Sequence, residues 1–263
     1  MIFIITLSSF SFLLNNTSAY YTALGNFKGE FPLNSTSILD GKKYNFNFYH
    51  TFLWNGIYQD FFMFSYKKEN NAFGISLNYL NYGTIDRTDT FGFYSGTFSA
   101  YDFSINLGFA HKFSNFNFGI NTGLANERID SISSTSYLIN SSLSTRFKNT
   151  NFIFSIINLG KSVKFVNESF TLPWGMLLGI NYYYKSFSFL SSFEMIIGYS
   201  PKFSLAFSYL INKVLDLRAG YQFNYGFTMG IGVLNVKNFY FDYSINYRGL
   251  LGFTNHIGIA YRY

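Results

Sequence analysis

Three histidines, His50, His111 and His256, are the candidate bases of this chain, and Ser is common enough to stand near any of them. A Ser–His hydrolase needs its hydroxyl within hydrogen-bond reach of the imidazole, and no spacing here singles out such a pair. His50 shares the alternating face of Phe46 and Phe48, whereas His256 falls on the opposite face of the last strand, so these two cannot share a site. There is no Cys, which excludes thiolate zinc sites, disulfides and thiol nucleophiles. The expectation is therefore a protein without catalytic, cofactor or metal residues. A second group of charges is of more interest. Asp102, Arg146, Glu194, Asp216, Arg218, Asp242, Arg248 and Arg262 all fall on the polar face of their segments. They are too few for a wide ion-selective pore. They are expected to satisfy one another and water, with Asp242 and Arg262 forming an ion pair between adjacent strands.

The elements that place these residues are strands. Residues 238–248 show the pattern best: Phe239, Phe241, Tyr243, Ile245 and Tyr247 alternate with Asn238, Tyr240, Asp242, Ser244, Asn246 and Arg248. Successive side chains of a β-strand point to opposite faces, so one face is aromatic and the other polar. The same alternation predicts about 14 strands between residues 42 and 263, each about ten residues long, which suits a tilted crossing of a bilayer. No long stretch has helical period.

Composition says which face meets what. Aromatic residues make up 23% of the chain and charged residues 12%, against about 25% charged in an average soluble domain. So much apolar side chain excludes disorder. The net charge of +6 is spread too thinly for a nucleic-acid surface. Mean hydropathy is only +0.09, too low for a bundle of membrane helices. The polar faces are built of Gly, Ser and Asn rather than Lys and Glu. These facts fit an all-β, transmembrane, antiparallel up-and-down barrel, with aromatic rings in lipid and small polar groups inside. Lipid cannot hydrogen-bond a free sheet edge, so the sheet must close.

Residues 1–19 read as a secretory signal peptide: an apolar run from Ile2 to Leu14, then Thr17-Ser18-Ala19 as a cleavage site. Residues 20–41 form a short N-terminal periplasmic segment, and 42–263 form the barrel. Lys67, Lys68, Lys112, Lys148, Lys185, Lys213 and Lys237 mark short turns expected on the periplasmic side, where they are simply solvated. The longest connections, 83–97 and 160–171, are expected outside. Trp54 and Trp174 fall on that outer side and are expected in the aromatic girdle of the membrane interface. The chain closes on Gly258, Tyr261 and Tyr263, which resembles the C-terminal assembly signal of bacterial outer-membrane barrels and implies recognition by the barrel-assembly machinery.

Several longer segments carry a family resemblance. They are His50-Thr51-Phe52-Leu53-Trp54-Asn55-Gly56-Ile57-Tyr58-Gln59-Asp60-Phe61, Gly96-Thr97-Phe98-Ser99-Ala100-Tyr101-Asp102, Asn158-Leu159-Gly160 with Pro173 downstream, and Leu217-Arg218-Ala219-Gly220-Tyr221. With these, residues 44–263 resemble the PorV/PorQ family of outer-membrane proteins, which are similar in fold to FadL-type hydrophobic-compound transporters. Ala23-Leu24-Gly25 matches part of the family's N-terminal pattern; its Asn-Pro-Ala motif does not occur. The resemblance implies that the segment before the first strand is plug-like. It also implies a non-enzymatic barrel of the outer membrane of a diderm bacterium, associated with type IX protein secretion or with exported proteins at the cell surface through the two long loops. The alternative it implies is passive, FadL-like transport of hydrophobic small molecules such as long-chain fatty acids.

Overall fold

The computed structural model describes residues 10–165 and 168–263. Fourteen antiparallel strands close into one barrel, paired in chain order. They are β1 (Tyr44–Phe52), β2 (Tyr58–Lys68), β3 (Asn71–Thr88), β4 (Tyr94–Lys112), β5 (Asn117–Ile129), β6 (Ile132–Phe147) and β7 (Thr150–Gly160). After a small hairpin, β8 (Val163–Phe165) with β9 (Glu168–Phe170), the wall resumes. It continues through β10 (Gly175–Tyr184), β11 (Phe187–Ile196), β12 (Lys202–Ile211), β13 (Leu215–Gln222), β14 (Gly226–Val236), β15 (Phe239–Tyr247) and β16 (Phe253–Arg262). The seam joins β1 to β16, from Asn45↔Arg262 to Phe52↔Asn255. Tyr44 and Tyr263 finish it by exchanging backbone hydrogen bonds of 2.7 and 2.8 Å.

The alternation read from the sequence is the alternation of the wall. In β1, Phe46 and Phe48 are 41% and 47% exposed while Asn45 and Asn47 are 4% and 5% exposed. Outward rings pair across strands, as Phe46 with Phe64 at 4.8 Å between centroids and Phe187 with Tyr209 at 4.5 Å. Such pairs stabilise a sheet face.

Both long connections are more ordered than expected. Over 83–97, β3 and β4 simply run on, pairing from Thr84↔Ser99 to Thr88↔Tyr94 past register shifts at Asn81/Thr84 and Arg87/Thr88. Gly83 and Gly96, with φ of 73° and 127°, take the backbone angles these irregularities need. The Asp89 carboxylate closes the tip by accepting the Phe91 and Phe93 N–H groups at 2.9 Å. Over 160–171 the chain turns inward as the β8–β9 hairpin. Ser134 and Ser136 hydroxyls tie it to β6 by donating to the Lys164 and Lys161 carbonyls at 2.9 and 3.0 Å.

Residues 10–41 lie inside the barrel as a plug. It comprises a 3-10 turn (Ser11–Leu14), the helix α1 (Ala19–Ala23) and a second 3-10 turn (Ser35–Leu39). Ser18 caps α1 by accepting the Tyr21 N–H, and Asn34 caps the second turn by accepting from Thr36. The plug therefore starts before the segment 20–41 expected for it. Cleavage after Ala19 would remove Phe10–Ala19 from the lumen; residues 1–9 of the expected leader lie outside the described residues.

The small residues of the inner wall make room for this plug. A side chain at Gly108 would meet the Phe31 ring at 2.3 Å, one at Gly179 the Phe27 ring at 2.6 Å, and one at Gly220 the Gly25 backbone nitrogen at 2.3 Å. The Gly220 contact is with backbone, which cannot swing aside. Overpacking costs about 1–3 kcal/mol, and 1.4 kcal/mol is a factor of about ten in an equilibrium. Gly220→Val is therefore expected to speed amide exchange over residues 20–27 by about tenfold or more while the strands stay protected. Equal exchange in variant and parent would contradict this packing.

Candidate functional site

The lumen has three levels, counted from the end of the long connections to the end of the short turns. The first is an apolar chamber. Leu80, Ala125, Leu138, Val163 and Leu172 enclose it, with Leu53, Ile57, Tyr82 and Phe170 around them. The hairpin β8–β9 supplies its cover through Val163. Phe10, Phe12 and Leu13 of the plug fill it. Each fully buried Phe or Leu contributes about 1.5–3 kcal/mol by leaving water. Leu14 and Leu33 extend the apolar contact to Ile157, Leu177 and Ile196. One polar group closes the chamber: Glu127 accepts the Phe10 N–H at 2.7 Å. The sequence reading did not single out Glu127. Parity alone would have found it, since it follows Asn121, Gly123 and Ala125 on the inward positions of β5.

Further along the lumen, wall charges meet the plug at different heights, Glu194 nearer the long-connection end and Arg218 nearer the short turns. Glu194 pairs with Lys28 at 3.2 Å, and both are buried. Arg218 lies between two carboxylates, 2.7 Å from Asp216 on its own strand and 2.5 Å from Asp242 two strands away. Its guanidinium also faces the Tyr20 ring of the plug, 4.2 Å from the centroid. The expected Asp242–Arg262 pair does not form. Asp242 stands opposite Gly258 on β16, four residues short of Arg262. The partner it takes instead reaches it across Gly232. A Cβ there would lie 2.3 Å from the Arg218 side chain and 2.7 Å from Asp242, so the glycine on β14 opens the path between β13 and β15. Asp102 lies at the level of the chamber, in register with Leu80 and Glu127, and accepts from the Tyr82 hydroxyl at 2.7 Å. Glu30 of the plug accepts from Asn47 at 2.7 Å and Tyr49 at 3.0 Å.

The third level is an open vestibule of about 880 Å³ at the short-turn end. Arg146 and Arg262 reach into it and are not buried. Arg146 lies over the Tyr183 ring at 5.3 Å and Arg262 over Tyr240 at 4.3 Å. Arg248 is at the opposite end, half-buried, 5.9 Å from the Trp54 ring. The eight charges read as one lumen set thus divide among the levels.

The histidines stay apart. His50 Nδ1 is 2.6 Å from Asp60 on the outward face. His111 is 2.7 Å from Asn71 Oδ1. His256 is buried inside, 2.9 Å from the Thr51 hydroxyl. Among the described residues no group of three His, Asp or Glu could hold a metal ion. Trp54 lies in the β1–β2 turn and Trp174 just before β10, both at the long-connection end. Tyr261 faces outward against Phe46 and Phe239, and Gly258 faces inward, where a side chain would meet the Tyr49 ring at 2.7 Å.

The fold is that of known hydrocarbon transporters. The solved structure of the Pseudomonas putida toluene transporter TodX matches with a TM-score of 0.71 at 10% identity, over 95% of this chain and 99% of that one. A TodX variant described as a monoaromatic hydrocarbon channel gives 0.64 at 12% identity, over 94% and 97% of the two chains. A Pseudomonas aeruginosa FadL homologue gives 0.56 at 9%, over 95% of each chain. No protein-family model matches this chain, and no curated protein does. These likenesses are to 14-strand barrels of the FadL type and do not show the PorV/PorQ family.

Two outcomes follow from these buried charges. Arg218→Met leaves Asp216 and Asp242 buried without their cation and should cost about 3–5 kcal/mol. Adding Asp216→Asn and Asp242→Asn should recover most of it, read as the urea midpoint of barrel unfolding. Burial pushes the Glu30 carboxyl above its ordinary value, against the pull of hydrogen bonds from Ser18, Tyr49 and Asn47. The docked plug therefore binds an extra proton between the ordinary carboxylate range and that raised value. Docking should weaken as pH rises through this window and be unpenalised below it. The difference in midpoint between the parent and Glu30→Gln, taken from pH 4 to 8, should show that slope; a flat difference would count against it.

Proposed function

We propose that this barrel sits in the outer membrane of a diderm bacterium and admits small hydrophobic molecules passively through the apolar chamber. The single observation behind this reading is the chamber itself, whose present occupants are Phe10, Phe12 and Leu13. Those residues belong to the expected leader. Once cleavage after Ala19 removes them, an apolar molecule can take their place and gain a similar transfer free energy from water. The wall residues left behind are Leu80, Ala125, Leu138, Val163 and Leu172, with Glu127 at one edge for a polar head. The FadL-type fold supports this reading over a secretion role. In this orientation the long connections face outward, the short turns face the periplasm, and the last strand is read by the assembly machinery.

The test has two parts. Protein extracted from membranes should have the intact mass of a chain beginning at Tyr20. It should bind the neutral fluorophore N-phenyl-1-naphthylamine saturably, and Ala125→Leu, which fills the chamber, should weaken binding about tenfold. A mass that retains Phe10–Leu14, or the absence of saturable binding, would overturn the proposal.

One observation favours the other reading. The β3–β4 tip carries Phe91, 84% exposed, beside Phe93 and Tyr94, and the turn after β15 exposes Leu250. Such apolar tips suit contact with an exported protein or a type IX secretion component. Surface display of exported proteins should then fall when the protein is deleted, and unchanged display would remove this role.

A further inference from the structure

The vestibule differs from the rest of the inner wall in one respect. Elsewhere most inward positions hold small polar residues, with apolar ones such as Phe61, Met63 and Leu80 against the plug. Here the last inward position of each of several strands is a cation. Lys67 continues the inward series Gln59, Phe61, Met63 and Ser65 of β2. Lys112 continues that of β4, Arg146 that of β6, and Arg262 that of β16. Lys185 follows Asn181 and Tyr183 of β10. All five line the same cavity. They come from strands spread around the barrel, so they face one another across its mouth.

Their charge is not cancelled on site. Among the described residues no ion pair involves any of the five. Of the acids lining the cavity, Asp216 and Asp242 are committed to Arg218, and Glu30 to Asn47 and Tyr49. That leaves Asp40. Lys67 donates to the Leu39 carbonyl at 2.7 Å, which holds it toward the plug. Arg146 and Arg262 each lie over a tyrosine ring, a placement in which the guanidinium can still offer its edge donors to an oxyanion.

We propose that the vestibule is a binding site for a small organic anion carrying a carboxylate or phosphate beside an aromatic or apolar body. Its volume of about 880 Å³ is that of a small-molecule pocket, which runs from about 300 to 1,000 Å³, and is too small for a folded partner. Arg146 and Arg262 bind the oxyanion from opposite walls. Tyr20, Tyr21, Tyr183 and Tyr240 supply ring faces for the body of the ligand. This site is distinct from the apolar chamber, lies at the other end of the lumen, and takes none of its five cations from the expected leader.

Titration calorimetry on the purified barrel in detergent at low salt, with phenyl phosphate and benzoate as probes, tests it. Saturable binding is expected for one or both, and which of the two binds tells phosphate from carboxylate. Arg146→Gln with Arg262→Gln should weaken binding at least tenfold, while any benzyl alcohol taken up by the apolar chamber should bind variant and parent alike. Lys213→Gln with Lys237→Gln removes two turn lysines that do not line the cavity and should leave binding unchanged. Both double variants should keep the unheated gel mobility of a folded barrel. The site is refuted if neither anion binds, if the arginine variant binds the anions like the parent, or if benzyl alcohol loses as much affinity as they do in that variant. It is also refuted if the lysine variant loses as much affinity, because the effect would then be one of general charge.

Discussion

Everything in this molecule depends on leaving no strand edge unpaired. A backbone N–H or C=O without a partner in hydrocarbon costs several kcal/mol, so a sheet with an outward aromatic face must bond its first strand to its last. Here β1 and β16 do so along their length, and Tyr44 with Tyr263 carries the pairing to the final residue. Closure creates an inside, and the inside then has to be filled.

Filling explains why the inner wall is made of small residues. Gly108, Gly179 and Gly220 lie where Phe31, Phe27 and Gly25 approach. The wall is polar by composition, yet much of what it touches in the plug is apolar. Asn and Ser side chains meet both demands: Asn121 donates to the Pro32 carbonyl at 2.6 Å and Ser142 accepts the Ser35 N–H at 2.9 Å. The buried charges follow the same logic, since Lys28 with Glu194 and Arg218 with its two carboxylates each leave no isolated ion.

Period-two alternation made the barrel legible before any coordinates, because each strand obeys one local rule that burial does not disturb. Strand number and the inward placing of Asp102, Glu194, Asp216, Arg218 and Asp242 came from that rule. The partner of Asp242 did not. It depends on interstrand stagger and on a glycine of the strand between, neither of which is local. The β8–β9 hairpin and the long β3–β4 extension were also hidden, for their residues satisfy hydrogen bonds through turns and bulges rather than through a repeated pattern. The apolar chamber was invisible for a different reason. Its lining comes one residue at a time from many strands, so no single segment shows an apolar inner stripe.

The plug precedes the first strand in the chain, and the seam uses the last. A plug carrying bulky rings cannot thread a cylinder whose glycines leave it no clearance. Chronology is therefore built into the connectivity: the leading segment must already be folded back within the curling sheet when the terminal tyrosine arrives. The final ring to lock is also the gatekeeper of assembly order, and an early zip would strand the leading segment outside an empty tube.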